Sequence, residues 1–208
     1  MSLKHLSIGA LVAVCIFVAQ ASAQKNELTG VLGRTFISDQ GIQGALVQPS
    51  TVNFGKGLTF EVNVAHRMLD SELWSLALEI PFVVNKDEDI NSALGLTPKQ
   101  FSSFFVTPAA RLNLFAEQGV SPWISFGGGF GHFGESSQLE YGGRNPGSTG
   151  TTVGVVQAGI GLDVKLVGKL RLRGEARDFY SGVPQLNVKT GKSMQHNIFV
   201  GAGVVWRF

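Results

Sequence analysis

The mature part of the chain alternates instead of repeating at helical spacing. In Leu58-Thr59-Phe60-Glu61-Val62-Asn63-Val64-Ala65 the even positions are apolar and the odd ones mostly polar, the period of a strand with two unlike faces. The same period runs through Trp74, Leu76, Leu78, Ile80 and Phe82, and through Phe104, Val106, Ala110, Leu112 and Leu114. It returns in Val156–Leu166, in Leu170–Ala176 against Arg171, Arg173, Glu175 and Arg177, and in Ile198–Phe208. Two segments are less regular. Residues 27–37 put Leu28, Leu32 and Phe36 on the parity of Arg34, so either face could be the inner one. Residues 122–133 set Ile124, Phe126 and Phe130 against Gly127, Gly129 and Gly131. Counting both, the pattern predicts eight strands, most with the roughly 9–11 residues that a tilted strand needs to cross a bilayer.

The connections carry a second pattern. Leu69–Glu72, Glu117–Ser121 and Val167–Lys169 are tight, whereas 38–56, 85–101, 134–151 and 181–194 are long and polar or Gly-rich. Short and long alternate along the chain, as in outer-membrane barrels, whose periplasmic turns are short and extracellular loops long. That places both chain termini in the periplasm, as an even strand count requires. Pro81 and Pro108 fall inside predicted strands, where each removes a ladder donor, so a β-bulge is expected at one or both.

The N-terminus adds a compartment. Lys4, the apolar run Leu6–Val18 and Ala21-Ser22-Ala23 have the order of a cleaved secretory signal peptide, which assigns 1–23 to a leader and 24–208 to a single barrel domain. The one cysteine, Cys15, leaves with the leader, so the mature chain would hold neither a disulfide nor a thiolate metal site. A formal net charge of +2 gives no nucleic-acid footprint.

Alternation alone does not say which face is inside, since a lipocalin-like soluble barrel alternates too. Glycines crowd the polar face around 127–131, 159–161 and 201–203, which suits a packed interior better than a solvated surface. Trp74 and Trp123 begin strands beside short turns and read as a membrane girdle at the periplasmic rim, together with Trp206 and Phe208. Phe60, Phe82, Phe104, Phe130 and Phe199 read as aromatics nearer the other interface. The last strand, Asn197 to Phe208, alternates and stops on an aromatic. In this the chain resembles the outer-membrane barrel superfamily. Pro122–Gly131, Gln157–Asp163 and Leu170–Pro184 are similar to strands of its small OmpA-, OmpX- and OmpW-like members. The resemblance implies an assembly signal at Trp206 and Phe208 that the barrel-assembly machinery reads.

Turning the polar face inward predicts a lumen network of Glu61, Glu79, Arg111, Asp163, Lys165, Arg171, Arg173, Glu175 and Arg177, with Arg67 and Arg207 beside it. Eight strands enclose a space that side chains just fill. His66, His132 and His196 fall near the rims, and no spacing forces a Ser-His pair together; a metal set of His132, His196 and Asp178 is a weaker option. The expectation is therefore all-β: an eight-stranded antiparallel up-and-down transmembrane β-barrel of the cell outer membrane. It would be a monomer in outer-membrane lipid, without cofactor, metal or enzymatic activity, in a structural or surface-interaction role. A narrow porin or a conduit for small anionic or apolar solutes is one alternative, and a soluble barrel binding a lipophilic ligand is another.

Overall fold

A computed structural model of the chain describes residues 25–44, 50–92 and 95–208; the expected leader lies outside them. The strands are β1 (Asn26–Ile37), β2 (Gln40–Gly41), β3 (Thr51–Phe54), β4 (Leu58–Asp70), β5 (Trp74–Ser92), β6 (Gln100–Val106), β7 (Ala109–Leu114), β8 (Val120–Glu135), β9 (Thr151–Lys165), β10 (Leu170–Gly182) and β11 (Met194–Arg207). Every pairing is antiparallel, and β1 closes on β11 from Glu27 opposite Arg207 to Ile37 opposite Asn197. Asn26 and Phe208 exchange backbone bonds of 3.0 and 2.9 Å at the seam. Closure leaves the barrel no free edge.

β6 and β7 are one stave. Both pair with β5 and with β8, and the register runs through Pro108 without a shift, Phe82 facing Val106 and Glu79 facing Ala109. The barrel therefore has eight staves: β1, β4, β5, β6 with β7, β8, β9, β10 and β11. The bulges expected at the prolines are elsewhere. Register shifts fall between Arg67 and Leu69 and between Asn85 and Glu88. Pro108 interrupts the ladder, and Pro81 keeps its place opposite Asn63. A missing N–H removes one bond, whereas a bulge needs an extra residue.

The three short turns join β4 to β5, β7 to β8 and β9 to β10, and the long connections all lie at the other end. One of these departs from expectation: β5 runs on to Ser92, so residues 85–92 of the expected loop 85–101 are strand. There it pairs with β3, which pairs with β2.

The two faces are unlike in the sense that a membrane requires. Outward lie Leu32, Phe60, Val62, Leu78, Ile124, Ile160 and Val200, with Phe126 66% exposed. Inward lie Glu27, Glu61, Glu79, Arg111, Asp163 and Arg177, with Arg173 1% exposed. A soluble barrel would reverse both. An apolar outer belt around a buried polar interior is the outer-membrane arrangement, and it rules out the lipocalin-like reading.

Candidate functional site: the barrel lumen

The lumen is built in layers. At the short-turn end the β7–β8 turn folds under the barrel, where Phe115 has φ 54° and Ala116 is buried. The Ala116 carbonyl accepts from Arg171 Nη2 at 2.7 Å and Arg207 Nη1 at 2.8 Å, and Arg67 Nη1 reaches Glu117 at 2.5 Å. The Arg67 guanidinium beside it holds the Glu117 carboxyl below its ordinary pKa. Guanidiniums suit this task because each offers several N–H donors in a planar fork.

Above that layer the ion pairs become continuous. Glu27 meets Arg111, Arg207 at 2.8 Å and Arg173 at 3.8 Å. Asp163 takes two bonds from Arg173, at 2.7 and 2.8 Å. Glu79 accepts from Arg111 at 3.1 Å and Arg177 at 2.7 Å, while Arg177 Nε also reaches Glu61 and Glu175, each at 3.2 Å. All of these side chains except Arg207 are fully buried. Leaving any one unpaired would strand a charge away from water, so the network is tolerable only as a set.

Trp123 lies at its centre, which corrects the expectation that it joins the membrane girdle. It is 2% exposed and donates Nε1–H to Asp163 at 3.2 Å. The guanidinium carbons of Arg173, Arg177 and Arg111 lie 4.9, 5.0 and 5.7 Å from its ring centroid, the geometry of cation–π attraction. Position 123 has the inward parity of Ser121 and Ser125, so the strand period placed it correctly and residue type did not. Gly161 on β9 makes the room, since a Cβ there would come within 2.3 Å of the indole. Trp74 and Trp206 do lie on the outer face, and Trp206 packs on Phe208 with ring centroids 4.7 Å apart.

Lys165 is the other correction. It has the inward parity but stands exposed at the end of β9, where the wall stops. Glu27 is the residue that pattern reading missed: Arg34, on the outward parity, obscured which face of β1 was inner. The signal was present in Glu27, Thr29 and Thr35, all of one parity and all buried.

Towards the loops the filling changes character. Phe105 stacks on Phe179 at 5.0 Å and 4°, Phe133 packs edge-on to both Phe105 and Phe101, and Phe199 is also inside, not on the outer wall as expected. Ile37, Ile42, Val52, Ile90 and Leu186 close the mouth above them. The upper lumen thus holds an aromatic and aliphatic core, with a buried polar set beside it in which Gln40, Gln195, Asn197 and Ser181 are bonded in a chain and Thr35 bonds Thr59. The histidines are apart from all this. On the outer wall, His196 Nδ1 pairs with Asp178 at 2.6 Å on β10 and β11, and His132 bonds Thr152 at 2.9 Å on β8 and β9. Of the three possible metal ligands His196 and Asp178 are thus together without His132, and among the described residues no set of three His, Cys, Asp or Glu could hold an ion.

No protein-family model and no curated protein sequence matches the chain. Solved structures do. Neisserial surface protein A superposes with a TM-score of 0.56 at 15% identity, covering 90% of this chain and 100% of that one. OprG from Pseudomonas aeruginosa gives 0.54 at 9%, covering 89% and 96%. The N-terminal β-barrel domain of OprF from the same organism gives 0.51 at 10%, covering 90% and 100%. The chain has the fold of the small outer-membrane barrels. At these identities the likeness is one of architecture, and it agrees with the apolar belt seen here.

Proposed function

We propose that this protein is a non-enzymatic, monomeric barrel of the outer membrane that acts through its wall and loops, its lumen serving as a structural core. The observation that carries this reading is the double filling of the lumen. The buried ion network around Trp123 occupies one half, and the rings of Phe101, Phe105, Phe133 and Phe179 occupy the other. An ion entering would have to displace paired guanidiniums and then part the close-packed rings, and each step opposes it. Planar-bilayer recording of the refolded protein is the test: no unitary conductance is expected, and a stable open level would overturn the reading. The leader at 1–23 and the assembly signal at Trp206 and Phe208 belong to the same proposal. Phe208→Asp should lower the folded, heat-modifiable fraction in membranes, because a charge would sit where Trp206 now packs an aromatic ring.

A second reading, an apolar conduit, has one observation in its favour. The outer wall is hollowed by a shallow depression lined by Gly129, Gly154, Val156, Tyr180, Gly182 and Met194, beside the apolar upper lumen. Uptake of a small alkane-like fluorophore by proteoliposomes would favour it, and an uptake rate equal to that of empty liposomes would remove it.

A further inference from the structure

Where the apolar belt ends on the long-loop side, each stave shows its first outward polar residue. Two sectors satisfy theirs internally, Asp178 with His196 and His132 with Thr152. The sector of β1, β4 and β5 does not. Arg34 points outward between Leu32 and Phe36, donating Nη1–H to the Lys56 carbonyl at 2.8 Å. Lys56 folds its ammonium back to 5.7 Å from the Phe36 ring centroid. Arg34 faces Leu58, and continuing the ladder from Thr59 opposite Asn85 sets exposed Lys86 beside Leu58.

The described acids nearby are engaged elsewhere. Asp39 accepts from Phe54 N, Asp89 from Gln100, and Glu88 turns inward to Gly57 N and Asn85. Among the described residues no acid forms an ion pair with any of the three cations. One step nearer the membrane, Leu32, Phe60 and Val84 form an apolar row. The cations therefore stand at the hydrocarbon edge, the depth of lipid phosphates, and Phe36 marks that interface as aromatic girdles do.

We propose that Arg34, Lys56 and Lys86 form a site on the outer wall for the phosphate of a phosphorylated outer-leaflet lipid. Arg34 supplies a planar donor fork for two phosphate oxygens, and the lysines supply point charges on flexible stems. Arg34 and Lys86 are two strand spacings apart, about 10 Å at the backbone, which long side chains bridge around one phosphate. The leaflet assignment rests on the proposed orientation, with long loops outside; the site itself does not.

The test uses the refolded full barrel in detergent, titrated with lipid A and with its dephosphorylated form, and read by native mass spectrometry. Phosphorylated lipid should bind more tightly. The combined Arg34→Gln, Lys56→Gln and Lys86→Gln variant should lose roughly tenfold to a hundredfold in affinity, while Lys165→Gln with Lys169→Gln should bind as the parent does. Heat-modifiable mobility confirms folding, and Arg34→Gln alone reads the same direction if the triple variant fails to refold. Equal affinity for the two lipids, unchanged binding by the folded variant, or inorganic phosphate competing at its own low-millimolar affinity would each overturn the proposal. Orientation is read separately by protease access to the loops on intact cells, so the two failures are distinguishable.

Discussion

The lower and upper halves of the lumen solve one problem in opposite ways. Around Trp123 the space is filled by guanidiniums and carboxylates whose energy depends on complete pairing, and around Phe105 it is filled by rings that need only contact. An ionic layer is unforgiving of single changes, because removing one partner leaves the other buried and uncompensated. An aromatic layer loses transfer energy and gains a cavity, but nothing in it is left charged. The ionic half lies inside the membrane-spanning part of the wall, and the aromatic half merges with the loops through Leu186 and Ile42. One barrel thus has a base held by complete charge pairing and an upper core held by ring packing.

That contrast can be broken experimentally. The largest effect is expected from Arg177→Ala, which strips Glu61, Glu79 and Glu175 of a shared partner; about 3–5 kcal/mol should be lost in urea unfolding of the micelle-bound barrel. Replacing Arg173 and Asp163 together with Met and Leu should cost much less than Arg173→Ala alone. If the double variant is as unstable as the single one, the pairing argument fails. Phe179→Ala should cost about 3 kcal/mol, and it should leave bilayer traces flat because the ionic layer still blocks the path. Gly161→Ala should force Trp123 out of its seat. In the parent protein, brominated lipid should quench Trp74 and Trp206 while sparing Trp123, and quenching of all three would place the indole back in the girdle.

The smallest effect concerns the upper end. Glu88 is buried in the bulge of β5, bonded to Gly57 N at 2.9 Å and Asn85 at 2.8 Å, and burial raises its pKa above the ordinary carboxylate value. A raised pKa means the folded loop base holds the proton more firmly than the unfolded chain does. Its contribution is therefore fully present below the ordinary carboxylate pKa and is lost as pH rises through the raised one. The protection factor of the Gly57 amide, with the intrinsic pH dependence of exchange divided out, should be higher under mildly acidic than neutral conditions, and Glu88→Gln should remove that difference.

Much of this was written in the alternation. The strand period in β4, β5, β9, β10 and β11, the order of short and long connections, and the inward parity of Arg111, Arg173 and Arg177 needed no coordinates, because a strand has only two faces. Tertiary structure alone decided what each inward side chain meets. An aromatic beside a turn suits a membrane interface, yet three guanidiniums converge on Trp123, from the neighbouring β7 and from β10 beyond β9. Glu27 joined the network once the packed barrel fixed the inner face of β1, and Lys165 left it for a reason of height: parity fixes the face, but only the packed barrel fixes how far along its axis a residue stands. The aromatic upper core is not legible in one strand either, since Phe105, Phe133 and Phe179 are apolar residues on the parity of the polar face, and only closure of the wall brings their rings together. Periodicity is a property of one strand. Partnership in a lumen depends on closure, which no single strand contains.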